Sequence, residues 1–132
     1  MMNLELKEKA LKLFYELASD YLRVAEYVFE NGNYREATDL AYNSLEAMIK
    51  ALLLLEMDEL PRTHSGVVDR FGEIYIKGEK SPREWGRELR RALELRNRAR
   101  YDWVSLIPKE EAEKIINFTK ELKDYVEGKI RE

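Results

Sequence analysis

The chain has 132 residues, of which 45% are apolar and 37% charged, and its formal net charge is −3. That composition supplies a real core and argues against disorder, while the negative balance argues against a molecule that holds nucleic acid by overall attraction. With no Cys and a single His, disulfides, thiolate metal sites and a His-based zinc site within one chain are excluded, so no metal site is expected.

Leu4 to Asn31 reads as one long helix. Leu4, Leu11, Ala18 and Ala25 recur at heptad spacing, with Phe14, Tyr21 and Val28 three residues behind. Gly32 is placed to stop it. Asn33 is expected to cap a second helix over 34–57, with Glu36 at the capping-box position. Its stretch "LAYNSLEAMIKALLLL" is apolar almost all round, which predicts the most buried helix of the fold.

Pro61 breaks the chain, and a third helix is expected over 63–76 on Val67, Val68, Phe71 and Ile74, weakened by Gly66 and Gly72. Ser81-Pro82-Arg83-Glu84 reads as a start signal for a fourth helix over 82–101: a serine cap, a proline in the first turn and a glutamate three after the cap. Pro108 opens a fifth, over 109–130, with Glu110 and Glu111 near its positive end and Ala112, Ile115, Ile116, Leu122, Val126 and Ile130 on its inner stripe. Five helices, no period-two alternation and short connectors predict an all-α, up-and-down antiparallel five-helix bundle forming one domain, residues 1–132. The first, second and fifth helices carry enough apolar surface for a dimer.

The fourth helix poses the functional question. Residues 81–103 hold seven arginines, no lysine and four acids, a local +3 against −6 elsewhere. Arginine without lysine suits fork-like recognition of phosphate or carboxylate; the plainer reading is a wet face with Glu–Arg pairs. At about 100° per residue, Trp85, Leu89, Ala92 and Leu93 form an apolar arc, and Arg96 falls in its middle. Arg100 continues that line, while Asn97 and Tyr101 pair on the adjoining edge. A buried guanidinium without a partner is costly, so Arg96 must meet an acid, backbone carbonyls, a ligand phosphate or water, unless it snorkels at the helix end. Glu46, the lone acid between Asp39 and Glu56, is one candidate partner; Lys50, at i+4 from Glu46, competes for it.

The segments "YLRVAEYVFENGNYREATDLAYNSLEAMIKALLL", "THSGVVDRF", "LRNRARYDW" and "PKEEAEKIINF", in that order, resemble the HEPN family (higher eukaryotes and prokaryotes nucleotide-binding), closest to its small stand-alone prokaryotic members. The resemblance covers about Tyr21 to Tyr125. It implies a five-helix bundle that dimerises, with an arginine, a polar residue after it and a histidine about five positions on from each copy forming a metal-independent RNA-cutting site. Many members are toxins beside a minimal nucleotidyltransferase antitoxin. Carried over, Arg96 takes the arginine place and Asn97 the polar place, but Tyr101 stands where the histidine belongs.

Tyrosine is a poor base near neutrality. The anion-binding half of the chemistry is therefore expected, and the proton-transfer half is not supplied by this motif. His64 is one substitute, although capping or packing is its plainer role. A tyrosine near the motif receives nucleotide groups in family systems with a nucleotidyltransferase partner, which gives Tyr101 a second role if its hydroxyl is exposed.

Three readings follow: an RNA- or nucleotide-binding dimer with ligand contacts from Arg100, Glu46 and His64 beside the catalytic set Arg96, Asn97 and Tyr101; a non-catalytic module partnering a nucleotidyltransferase; and a dimer in which the arginines only set register. No cofactor is expected. No apolar run reaches the roughly 18 residues of a membrane span, and the start lacks a signal-peptide core, so no membrane contact and a cytoplasmic location are expected. Glu, Lys and Arg dominate the polar positions and Gln is absent, a pattern shared with proteins from hot environments.

Overall fold

A computed structural model describes residues 3–131. Among them there are five α-helices and no strand: α1 (Leu4–Glu30), α2 (Tyr34–Leu54), α3 (His64–Phe71), α4 (Trp85–Tyr101) and α5 (Lys109–Arg131). No helix is long and apolar enough to cross a membrane.

The helix ends show the local chemistry behind this order. Asn3 Oδ1 accepts from the Leu6 N–H and starts α1. Gly32, at φ +82°, lets the Asn33 N–H reach the Val28 carbonyl at 2.9 Å, a closing turn that a left-handed residue makes possible. Asn33 sits at the N-cap of α2 as expected, but its side chain makes no capping bond. The expected end at residue 57 gives way to Leu54, because the chain tightens there: Leu55 and Glu56 bond three residues back, to Leu52 and Leu53. The expected third helix changes pitch at Gly72, and a π turn (Gly72–Ile76) completes it, held by the Tyr75 hydroxyl donating to the Leu52 carbonyl at 2.8 Å. The expected cap at Ser81 does not form. Its hydroxyl turns back to the Tyr75 carbonyl, and α4 begins at Trp85, three residues later than the signal implied. Pro108 does open α5, its carbonyl accepting from Glu111 and Ala112.

α2 is the centre of the bundle, packed on α1, α4 and α5, and Tyr42, Leu45, Met48, Ile49, Leu52 and Leu53 are fully buried. Leu11, Ala18, Leu22 and Ala25 of α1 face it. The same periodicity placed Leu4 and Ile130 in the core; both lie near helix tips that overhang the bundle and are exposed. α1 also carries a second apolar line, Leu13, Leu17 and Val24, which faces outward.

Candidate functional site

α4 buries Trp85, Leu89, Ala92, Leu95, Arg96 and Ala99. Leu93, expected on that face, is half-buried, and Leu95, on the opposite edge of the arc, is buried. Arg96 lies on the buried face as its helical phase requires, with 4% of its surface exposed. Its surroundings are unusual for a guanidinium. Nη1 donates to Asn97 Oδ1 at 3.0 Å, and Nε is buried without a partner. Among the described residues it forms no ion pair, so the expected contact with Glu46 is absent. Glu46 is held instead by Lys50 Nζ at 3.1 Å and by His64.

Two rings flank the charge: the Arg96 Cζ lies 6.0 Å from the centroid of Tyr42 and 5.8 Å from that of Tyr101. Each such contact stabilises a desolvated cation by about 2 kcal/mol. Removing the group from water costs several kcal/mol. The rings soften that penalty without cancelling it.

Arg96 forms one wall of a cleft of about 350 Å³ between α1, α2 and α4, where Asn43, Glu46, Lys50, His64 and Arg100 converge. Four sequence-level candidates, Arg96, Arg100, Glu46 and His64, therefore meet in one place. Arg100 donates through Nε to Asp39 Oδ1 at 2.8 Å. Asn97 and Tyr101 do not line this cleft. Both are exposed, Tyr101 by 71%, and they hold the guanidinium from its outer side. The compact four-residue patch expected on α4 is thus divided, because Asn97 and Tyr101 lie about 100° or more round the helix axis from the buried line of Arg96.

The Tyr42 hydroxyl is buried and lacks a hydrogen-bond partner. Burial, and then the nearby Glu46 charge, push its ionisation far above the usual tyrosine range, so it stays neutral. For Glu46, burial works toward a higher pKa, but hydrogen bonds from His64 and Lys50 outweigh it and hold the carboxyl below its ordinary 4.5.

Two contributors escaped the sequence reading. Asp39 and Asn43 are one: with Glu46 and Lys50 they recur at spacings of four, three and four along α2, a polar line through its apolar wall that was the available signal. Arg35 is the other. Its guanidinium donates to the carbonyls of Arg98, Ala99, Asp102 and Ser105, closing the C-terminal end of α4 and fixing the connector to α5. Nothing in the local sequence marks it. That connector presents Trp103, Val104 and Leu106 to the outside.

Residues 11–129 match the family model for the HEPN domain. A protein of Methanocaldococcus jannaschii named "Putative toxin" is 30% identical over 132 residues, covering 100% of this chain and 96% of its own. A second protein of the same organism and name is 32% identical over 117 residues, 89% of this chain and 78% of its own.

Proposed function

The chain belongs to the HEPN family, and we propose that it binds RNA, as a toxin-type ribonuclease subunit, at the cleft walled by Arg96. One observation carries this reading: a 96%-buried cation with an orphaned Nε and no carboxylate, set in a cleft beside Lys50 and Arg100. A phosphate in the cleft supplies the countercharge that Arg96 lacks, and a charge-assisted bond formed away from water is stronger than one at the surface. The toxin names of two relatives agree with it.

A second copy of the chain completes the site in this reading. Leu17 belongs both to the outward apolar line of α1 and to the wall of the cleft, so a subunit covering Leu13, Leu17 and Val24 also borders the cleft. The test is binding of a labelled single-stranded oligoribonucleotide, followed by fluorescence anisotropy, with the oligomeric state read by sedimentation. Wild type binds and Arg96→Ala does not; equal binding by the two ends the proposal.

A second reading rests on the exposed Tyr101 ring. In it, a partner nucleotidyltransferase transfers a nucleotide group to the Tyr101 hydroxyl. Intact-mass measurement after co-expression shows the added nucleotide, and its persistence in Tyr101→Phe would rule this site out.

A further inference from the structure

His64 performs neither of the structural tasks its position suggests. The first turn of α3 is capped by Thr63, whose Oγ1 accepts from the Gly66 N–H at 2.9 Å. A Cβ on Gly66 would lie 2.8 Å from that oxygen, so the glycine is what lets the cap close. His64 is also no core residue: its side chain is 45% exposed. Instead its Nδ1 meets Glu46 Oε2 at 2.5 Å, across from α3 to α2.

The state of this pair follows from its carboxylate. An ionised Glu46 can only accept, so in the neutral imidazole Nδ1 is the nitrogen that carries the proton and Nε2 the one with the lone pair. An imidazole turned and held in one tautomer by a partly buried carboxylate is arranged as a base. It also stands beside the anion-binding group. The Tyr42 ring lies edge-on to His64 at 6.1 Å between centroids, and the Arg96 Cζ is 6.0 Å from that same ring. Both side chains line the one cleft.

We infer that His64 Nε2 is the general base of the RNA-binding cleft and Glu46 its positioning residue, filling the role of the histidine that Tyr101 replaces. This rests on the RNA-binding reading above. Nε2 takes the proton of a ribose 2′-hydroxyl, and the 2′-oxygen forms a bond to the adjacent phosphorus. The bond from phosphorus to the 5′-oxygen breaks, and its electron pair leaves on that oxygen. Water protonates the 5′-oxygen, and the hydroxide left behind recovers the proton from His64. The products are a 2′,3′-cyclic phosphate and a 5′-hydroxyl. Arg96 faces the charge that builds on the phosphoryl oxygens.

The experiment follows cutting and binding in parallel, with the full chain and a labelled single-stranded oligoribonucleotide. Wild type is expected to leave a 2′,3′-cyclic phosphate end, and His64→Ala to retain binding while cutting falls by about 100-fold or more. Glu46→Gln is expected to lower kcat by about 10-fold or more with KM held, because an amide no longer fixes the tautomer. Cutting by His64→Ala at the wild-type rate overturns the inference. So does a wild-type chain that binds RNA through Arg96 without cutting it, an outcome that leaves the binding reading standing; a chain that does neither overturns both. If circular dichroism shows His64→Ala unfolded, Glu46→Gln decides, and an unchanged kcat overturns the assignment.

Discussion

Two clefts of nearly equal size flank α4. The one toward α1 and α2 has a volume of about 350 Å³ and Arg96 in its wall; the one toward α5 has about 370 Å³ and Arg91. Both hold an arginine and a glutamate, yet their charges are arranged in opposite ways. Arg91 is exposed and forks onto Glu111, with Nε to Oε2 at 3.1 Å and Nη2 to Oε1 at 2.5 Å. Its donors are satisfied and water reaches them, so an incoming anion gains little. Arg96 is buried, and one donor is unsatisfied. An arginine in a hollow is therefore not enough to propose a site; Arg96 differs in being buried, with an unmet donor and no carboxylate on it.

The acids repeat the contrast. Glu46 is held below 4.5 because hydrogen bonds from His64 and Lys50 outweigh its burial. Glu88, in the α5 groove, is raised, first by burial and then by Glu121 and Glu84. The two clefts should therefore respond to substitution with different signs.

The largest effect is expected on ligand binding. Arg96→Ala should weaken oligoribonucleotide binding by at least about 30-fold, the loss of a buried charge-assisted contact of about 2 kcal/mol. Arg91→Ala should leave the anisotropy curve in place. Equal losses would dissolve the distinction between the clefts and favour a diffuse basic surface.

Stability should move the other way. Arg96→Leu replaces an imperfectly satisfied buried cation with an apolar side chain and is expected to stabilise the fold by about 1–3 kcal/mol, raising Tm by several degrees in thermal melts. Arg91→Leu, at the surface, is expected to shift it by less than about 1 kcal/mol. A destabilised Arg96→Leu would mean that the two tyrosine rings satisfy the guanidinium, and that the arginine serves packing alone.

Glu46 supplies a pH-dependent test. Because its folded pKa lies below the ordinary value of 4.5, it contributes stability that is present above that value and lost as the pH falls through the lower, folded one. Glu46→Gln should thus destabilise the chain at neutral pH in urea titrations, and the gap to wild type should close as the pH falls below the ordinary carboxylate range. The smallest effect is expected at Glu88. Its raised pKa means that ionisation disfavours the fold as the pH rises through the ordinary carboxylate range, so Glu88→Gln should be neutral or slightly stabilising at pH 7. A clear loss of stability there would reverse the comparison.

Much of the architecture was legible because helical periodicity is a property of one segment at a time. The phase of α4 put Arg96 on the buried face, and the apolar run of α2 marked it as central; both follow from 3.6 residues per turn. Errors gathered at helix ends, as at Ser81, where a cap signal competes with a carbonyl from another element, and at tips such as Leu4 and Ile130, where an apolar residue finds nothing to pack on. Glu46 and its i+4 neighbour Lys50 were legible, but their continuation to Asp39 and Asn43 was masked by the apolar residues around it.

Spacing along the chain is therefore enough for the set of helices, the face each one buries and the presence of a cation on a buried face. Only the tertiary structure decided who meets whom. It sent Glu46 to His64 rather than to Arg96, brought Arg35 under the end of α4, and left Arg96 in the wall of an open cleft. Such pairings depend on how each helix is rotated and shifted against its neighbours, a relation that no spacing within a single helix contains.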